Sequence, residues 1–176
     1  MICIAALAVL QVIVILAFAL VVMRFKTPRF RLRAASFTTF QAGNSTNPTL
    51  NLVMNAQFTV RNRNYGRYKY ESGTVLFAYR GLTIGQAFID ESRARARTTK
   101  KVNATAVLSS ASLVGRDELD QLGRDIGAGV LSITSQAELE GKVQVLRVIK
   151  KKKNTRLNCT LDVEIATRSV RNLICL

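Results

Sequence analysis

Histidine and tryptophan are both absent from this chain of 176 residues. Without histidine, the sequence cannot build a Ser-His-Asp or Cys-His nucleophilic site, a histidine general acid or base, or a histidine-containing zinc site. Only three cysteines are present, so a four-thiolate zinc site is excluded as well. We therefore predict a protein that is not an enzyme and has no catalytic, cofactor-binding or metal-binding residues.

Acidic residues are scarce. The chain has 11 of them against 26 lysines and arginines, which gives a formal net charge of +15, and the first carboxylate is Glu71. A charge of this size predicts an anionic neighbourhood, such as lipid headgroups, acidic polysaccharide or nucleic acid, and carries no information about fold. Nucleic acid fits least well, because no recognition helix or stacking platform is evident.

Residues 2–23 form a long apolar run in which Gln11 is the one clearly polar side chain. A helix that rises about 1.5 Å per residue spans roughly 30 Å over this length, which is the thickness of the hydrocarbon core of a bilayer. A cleaved signal peptide is the alternative, since Ala17-Phe18-Ala19 resembles a cleavage site. The run is longer than a typical signal, however, and no basic segment precedes it. We predict a single-pass transmembrane anchor over residues 1–23.

Cations follow the anchor at once. We predict a basic juxtamembrane segment over residues 24–35, which contains Arg24, Lys26, Arg29, Arg31 and Arg33. Side chains of this kind bind headgroups at the membrane surface. Under the positive-inside rule, the same cations would place the rest of the chain in the cytoplasm.

Alternation of apolar and polar residues dominates the remaining sequence and predicts β-strands. Strands are predicted at residues 50–61, 68–70, 74–79, 82–89, 102–108, 143–148 and 157–165, with a loop at 62–66. A turn is predicted at Arg80-Gly81, and Gly85 indicates a bulge. Only residues 116–126 have helical spacing, with Gly127 as the stop. The pattern predicts a mainly β domain over residues 36–176, an antiparallel β-sandwich with one short helix.

The loop Asn62-Arg63-Asn64-Tyr65-Gly66 and the tract Tyr79-Arg80-Gly81-Leu82 carry a family resemblance. With the apolar anchor ahead of them, they resemble the plant late embryogenesis abundant group-two domain, also called the water-stress and hypersensitive-response domain. The chain is similar in particular to the membrane-anchored branch related to non-race-specific disease resistance and harpin-induced proteins. The resemblance covers essentially the whole chain. Two departures are Arg63, where the family usually has proline, and the missing basic tail that members usually carry before the anchor.

The resemblance implies a fibronectin- or immunoglobulin-like β-sandwich, residence in the plasma membrane, and a role in plant defence or stress responses without catalysis. It also implies that the domain lies outside the cytoplasm, in the apoplast. Three acceptor sequons agree with that side and make Asn44, Asn103 and Asn158 candidates for glycosylation. Asn44 is the strongest candidate because it lies in a loop, whereas the other two fall in predicted strands.

Cys159 and Cys175 bear on the same question. The residues alone leave two possibilities open, namely two buried free thiols or a disulfide that ties down the C-terminus. A disulfide closing a loop of about 16 residues would contribute about 3 kcal/mol in the chain-entropy model. A late cysteine pair recurs in the family, and the resemblance therefore implies the disulfide. We predict the extracytoplasmic side against the positive-inside rule, because a basic tail ahead of the anchor would restore the charge balance.

Two of the basic clusters are candidate contact surfaces: Arg93, Arg95, Arg97, Lys100 and Lys101 in one, and Lys150, Lys151, Lys152 and Lys153 in the other. In a strand, the three arginines would share one face, and the lysine run is predicted to form a hairpin tip. Solvated turns, or edges that resist pairing with another sheet, would also explain them. Their functional interpretation is adhesion to anionic lipid or acidic wall polysaccharide.

Three functions are compatible with these features. The first is a surface interaction protein of plant defence or stress signalling, with a protein partner that the sequence does not name. The second is a protectant of membranes or proteins during desiccation. The third is a lipid-binding module, which would require a continuous apolar groove between two sheets.

Overall fold

The structure is a computed structural model that describes residues 2–22, 24–145 and 149–176. The chain begins with a helix, α1, over Ile2–Val22. Its stretch from Cys3 to Leu20 stands clear of the folded domain and has the length and composition to cross a membrane. A signal sequence would have the same properties.

Strands make up most of the remaining chain. In the described residues they are β1 (Arg29–Ala42), β2 (Leu50–Arg61), β3 (Arg67–Tyr70), β4 (Gly73–Tyr79), β5 (Leu82–Ile89), β6 (Ser92–Ala94), β7 (Thr99–Ser109), β8 (Val130–Leu139), β9 (Gly141–Val145), β10 (Ile149–Lys152), β11 (Thr155–Glu164) and β12 (Ser169–Cys175). A short 3-10 turn at Ser110–Ser112 and a helix α2 at Arg116–Ala128 interrupt them. Within the described residues, the prediction of a mainly β chain with one short α-helix after the N-terminal apolar helix is confirmed.

The strands form two antiparallel sheets. The larger has eight strands in the order β1-β2-β7-β5-β4-β8-β11-β12, and the smaller has four in the order β10-β9-β3-β6. The central strand β2 has the predicted bounds and buries alternate side chains, including Leu52, Met54 and Phe58. Each fully buried side chain of this size contributes roughly 1.5–3 kcal/mol. The predicted bulge also occurs, since the pairing of β4 with β5 shifts register beside Gly85.

The large sheet curls until it is nearly a barrel. Its first strand, β1, approaches β11 and β12 at the other edge, and the Cys175 Sγ lies 3.5 Å from the Leu32 carbonyl oxygen. The antiparallel pairing that we predicted is confirmed, whereas the immunoglobulin-like sandwich is not. Tyr68, Tyr79 and Phe77 are among the buried side chains of one core cluster. Within the described residues, the core therefore leaves no support for the continuous apolar groove that a lipid-binding module requires.

Antiparallel pairing gives the large sheet two distinct ends. We call the end where the chain arrives from α1 the tether end, and the opposite one the far end. Arg29 begins β1 at the tether end and pairs with Arg61, which in turn pairs with Thr99. The pairs Gly73–Ile89 and Leu139–Thr155 lie at the same end. At the tether end, the four strands of the small sheet lie in the segments that connect strands of the large sheet. Strand β3 lies between β2 and β4, β6 lies between β5 and β7, and β9 and β10 lie between β8 and β11.

Two predicted boundaries were wrong. The domain begins at β1, inside the region 24–35 that we assigned to the juxtamembrane segment, because Phe30 and Leu32 are buried between exposed arginines. Helix α2 passes the predicted stop at Gly127 and ends at Ala128, where Gly129 caps it with a φ of 83° that suits glycine. The strand residues predicted at Leu146 and Val148 lie outside the described residues.

Candidate functional site

The four-stranded sheet, which we call the cap sheet, covers the tether end of the molecule. Its inner face is apolar and buried: Tyr68 on β3 pairs with Val143 on β9 and with Ala94 on β6, and all three are at most 1% exposed. Since successive side chains of a strand point to opposite faces, the residues beside them point away from the core. The cap sheet therefore presents an outer face at the end of the domain that is joined to α1.

Four cations lie side by side across this outer face. Lys152 pairs with Lys142, Lys142 with Lys69, and Lys69 with Arg93, so that one residue from each strand forms a row. All four are exposed. We call these four residues the cation row. Neighbouring strands are about 4.8 Å apart, and like charges directly opposite one another destabilise a sheet. The row therefore has a cost in stability that nearby anions would offset.

The protein's own carboxylates offset little of this charge. The Lys69 Nζ lies 3.9 Å from a Glu91 oxygen, and the Lys142 Nζ lies 4.0 Å from a Glu71 oxygen. All four side chains are about half exposed or more. Exposed pairs at such distances contribute about 0–1 kcal/mol and are screened by salt. The outer face is therefore available to an external anion.

A basic cleft of about 530 Å³ adjoins the cation row. Among the described residues, its lining contains no carboxylate and consists of Tyr65, Gly66, Arg67, Arg93, Arg95, Ala96 and Gln144. The guanidinium of Arg97 lies 4.9 Å from the centre of the Tyr65 ring, a cation–π contact that positions an exposed aromatic side chain at the rim. Arginine and tyrosine side chains of this kind bind phosphate or carboxylate groups.

The chain between α1 and β1 is fastened to this end of the domain. The backbone N–H of Lys26 donates to the Asn64 Oδ1 (2.5 Å), and the Asn64 Nδ2 donates to the Lys26 carbonyl oxygen (2.7 Å). The Thr155 hydroxyl donates to the Pro28 carbonyl oxygen (2.8 Å), and Phe25 packs against the core. We call residues 24–28 the tether segment. Because it is held at several points, the segment keeps the cap sheet close to the end of α1.

Charge is distributed unequally between the two ends. The far half of the domain has five arginines and six carboxylates; these are Arg80, Arg116, Arg124, Arg168 and Arg171, and Asp117, Glu118, Asp120, Asp125, Asp162 and Glu164. The chain has 26 cations and 11 carboxylates in all. Arg147 lies outside the described residues, so the tether half has 20 described cations and five carboxylates. The far half is therefore close to neutral, and the net positive charge is concentrated at the tether end.

The predicted basic residues are brought together at this end, although not as we expected. Arg93 and Arg95 line the cleft, but β6 ends at Ala94 and Arg97 lies in a turn with a φ of 57°, so the prediction that the three arginines share one strand face was wrong. Lys100 and Lys101 lie at the start of β7. The lysine run is a strand at the edge of the cap sheet rather than a hairpin tip, with Lys150, Lys151 and Lys152 in β10 and Lys153 after it. Sequence reasoning missed Lys142, whose role depends on the register between separate segments.

Comparison with known proteins addresses the family. No family model matches the chain. A late embryogenesis abundant protein of Arabidopsis thaliana is 30% identical over 173 residues, which cover 93% of the present chain and 78% of that protein. The chain belongs to the late embryogenesis abundant family. A solution structure of another Arabidopsis thaliana protein is 14% identical, with a TM-score of 0.42 over 86% of this chain and 83% of that one. A solution structure of a protein described as late embryogenesis abundant is 10% identical, with a TM-score of 0.37 over 85% of this chain and 71% of that one.

The late cysteine pair of this late embryogenesis abundant protein is bonded. Cys159 on β11 and Cys175 on β12 are directly opposite one another and form a disulfide, as predicted. The bond fastens the last strand, and with it the end of the chain, to the buried face of β11, where Cys159 is 1% exposed. The other cysteine, Cys3, is free and lies in α1. Disulfides persist in oxidising compartments, so the pairing favours an extracytoplasmic domain.

The three sequon asparagines are all exposed. Asn44 lies in the loop between β1 and β2 at the far end, where its Oδ1 accepts hydrogen bonds from the backbone of Thr46 and Asn47 and from the Thr46 hydroxyl. Asn103 lies on β7 and accepts a hydrogen bond from Gln57, and Asn158 lies on β11. Exposure makes each a possible acceptor, and the glycosylation itself stays a prediction.

A polar contact fastens α2 to the far end of the sheet. The Tyr79 hydroxyl donates to Asp125 on α2 (2.6 Å), and Arg80 lies 3.3 Å from the same carboxylate. Burial raises the pKa of Tyr79, the hydrogen bond to Asp125 raises it further, and the Arg80 charge opposes the shift. This arrangement keeps Tyr79 protonated as a donor. We interpret the contact as structural, because it connects two elements of the fold.

Proposed function

We propose that this late embryogenesis abundant protein is a single-pass protein of the plasma membrane that acts in plant stress or defence responses without catalysis. Its domain lies outside the cytoplasm and contacts its partners through the basic surface of the cap sheet. Anionic lipid and acidic cell-wall polysaccharide are the proposed non-protein partners, and a protein partner is proposed in addition. The observation that carries the proposal is the short, fastened tether segment, which joins a helix of membrane-spanning length to the most basic end of the domain.

The anchor is supported by the length and exposure of α1. Its 21 residues correspond to roughly 31 Å at 1.5 Å per residue, enough for the hydrocarbon core of a bilayer. The stretch of α1 from Cys3 to Leu20 is apolar on all sides, and nearly all of its side chains are exposed, which a water-soluble protein would disfavour. A membrane would cover these side chains.

The extracytoplasmic side is supported by the disulfide between Cys159 and Cys175 and by the exposure of the three sequons. The cations of the tether end oppose it under the positive-inside rule. The role in stress is supported by the family, whose name in the Arabidopsis thaliana relative refers to late embryogenesis. The membrane-anchored, defence-related branch is supported by the resemblance at Asn62-Arg63-Asn64 and Tyr79-Arg80-Gly81-Leu82.

Protease protection tests the sidedness. An epitope is fused after Leu176, the chain is expressed in plant protoplasts, and protease is added outside the intact cells. We expect external protease to remove the epitope while a cytosolic marker protein stays intact. An epitope that survives until the cells are lysed would place the domain in the cytoplasm and contradict this part of the proposal.

A desiccation protectant is the second candidate, and the family favours it. Vesicles that contain the full chain and an entrapped dye are dried and rehydrated, and dye release is compared with that of vesicles without protein. A protectant reduces the release, and an unchanged release would leave the interaction function as the better account.

A further inference from the structure

We propose that the outer face of the cap sheet is a docking surface for the anionic, phosphate-bearing headgroups of the membrane that holds α1. The domain then lies with the cap sheet against the bilayer and with the far end pointing away. This inference rests on the proposed anchor, selects lipid over polysaccharide as the partner of this surface, and adds the orientation of the domain. It holds for whichever leaflet adjoins the domain.

The tether segment limits how far the cap sheet can move from the bilayer. Phe25, which packs on the domain, lies three positions after Val22, the end of α1. At 3.3–3.6 Å per residue, this chain reaches about 11 Å when fully extended. The next residue, Lys26, is held by both hydrogen bonds to Asn64, beside the basic cleft. The cleft and the cation row are thus kept near the distance over which charges interact in physiological salt, about 8 Å.

The shape and charge of the cap sheet fit a plane of anions. The cation row has one charge on each of four neighbouring strands, and Arg67 and Lys150 flank Gln144 in the next row. A cation close to an anionic bilayer strengthens binding roughly fivefold. Tyr65 is 49% exposed at the rim of the cleft, and tyrosine is enriched at the level of the headgroups.

Lipid is favoured over polysaccharide by position. An acidic polysaccharide of the cell wall would reach the far end most readily, because that end points away from the bilayer. The far end is close to neutral, however, and offers such a polymer little attraction. The cations are instead concentrated where the tether segment brings the chain out of the membrane. A lipid surface is present there at all times and needs no further recruitment.

The test uses the full chain in vesicles. Cys3→Ser removes the free thiol, and a fluorescent reporter is attached at Asn154→Cys, an exposed position beside the cap sheet, or at Val114→Cys, which is 89% exposed at the far end. Vesicles contain a headgroup-linked quencher and either phosphatidylcholine alone or phosphatidylcholine with phosphatidylserine. We expect phosphatidylserine to increase quenching at position 154 about twofold at low salt, and high salt to abolish the increase. Quenching at position 114 stays unchanged.

Two double variants with the same change in charge separate the cap sheet from net charge. Lys142→Glu with Lys152→Glu removes half of the cation row, whereas Arg124→Glu with Arg168→Glu alters two exposed cations of the far half. We expect only the first pair to lose the phosphatidylserine effect. The proposal is overturned if both pairs behave alike or if phosphatidylserine has no effect on either reporter. It is also overturned if polygalacturonate, added to phosphatidylcholine vesicles, binds in a way that depends on Lys142 and Lys152 while phosphatidylserine has no effect.

Controls on the same vesicles separate this inference from the proposed function. Flotation reports the anchor, and thermal unfolding reports whether each variant is folded. A chain that floats and is folded, yet shows no effect of phosphatidylserine, refutes the docking surface and leaves the anchor intact. A chain that does not float refutes the anchor and the docking together.

Discussion

Single side chains hold the loop between β2 and β3 and the tether segment together. Asn64 is 3% exposed and makes hydrogen bonds to both backbone groups of Lys26, while its neighbour Asn62 is 1% exposed and donates to the carbonyl oxygens of Gly66, Ala94 and Arg95. Two buried amides thus connect the tether segment with the loop that leads into the cap sheet and with β6. The resemblance identified this loop, but Lys26 lies 38 residues from Asn64, and no local pattern indicates the contact between them.

We predict that Asn64→Ala lowers the free energy of unfolding by about 1–3 kcal/mol, because both backbone groups of Lys26 lose their partner. The matched control is Asn154→Ala, an exposed residue whose amide is 3.4 Å from Glu138, and this change should stay within about 0.5 kcal/mol. Denaturant unfolding of the full chain in detergent measures both. Equal effects from the two variants would show that the contact with Lys26 does not stabilise the domain.

Asn44 is the residue at which we predict a glycan. On expression in a plant secretory pathway, Asn44→Gln should increase the mobility of the chain on a denaturing gel by one glycan, and an endoglycosidase should abolish the difference. Asn103→Gln and Asn158→Gln provide the comparison, because both residues lie on paired strands. Unchanged mobility of Asn44→Gln would contradict the prediction.

At the scale of elements, the cap sheet depends on two buried tyrosines of β3, Tyr68 and Tyr70. Burial is the main cause that raises the pKa of both above the ordinary value of about 10, and the Tyr70 charge adds to the shift at Tyr68. The folded state therefore keeps these protons at a pH where the unfolded chain releases them.

The contribution of these tyrosines to stability should consequently be constant below about pH 10 and fall above it, by up to about 1.4 kcal/mol per pH unit for each such tyrosine. Tyr68→Phe should make this fall less steep. At neutral pH the same variant should change stability little, because the Tyr68 hydroxyl makes only one long hydrogen bond, 3.4 Å to the Leu139 carbonyl oxygen. Denaturant unfolding at a series of pH values measures the slope. An unchanged slope in Tyr68→Phe would be evidence against a raised pKa at this residue.

The disulfide stabilises the last strand, β12. Its two cysteines are separated by 16 positions in the chain, and closing a loop of that size contributes about 3 kcal/mol. We predict that Cys159→Ala with Cys175→Ala lowers the free energy of unfolding by about this amount. A reductant should lower the stability of the wild type equally and should leave the double variant unchanged, with Cys3→Ala as the control that still responds. A wild type that does not respond to reductant would rule out a stabilising bond.

The sequence was most informative where one face of a strand is apolar throughout, as in β2 and β11. It was least informative at β1, β8 and β12. In β1 the arginines that alternate with Phe30 and Leu32 were interpreted as a juxtamembrane run, although their alternation is that of a strand. In β8 the buried polar residue Ser135 interrupts the apolar face, and β12 is a partly exposed edge. The cation row could not be predicted, since its four members come from four strands and only their register places them side by side.

At the scale of the whole molecule, the protein combines an apolar helix, a basic end next to that helix and a nearly neutral far end. The basic end lies next to the helix because of the topology: every connection that builds the cap sheet is made at the end where the chain enters the domain. Membrane attachment and the docking surface therefore share one requirement. Residues 1–23 must remain part of the mature protein.

The most direct test is to determine the mature N-terminus of the chain from plant cells. The chain, tagged after Leu176, is recovered from carbonate-washed membranes, and its intact mass and N-terminal sequence are measured. We predict that residues 1–23 are retained and that the chain stays in the membrane pellet. A mature chain that begins after Ala19 and is recovered in the soluble fraction would mean that the apolar helix is a cleaved signal, and it would contradict the anchor and the docking of the cap sheet.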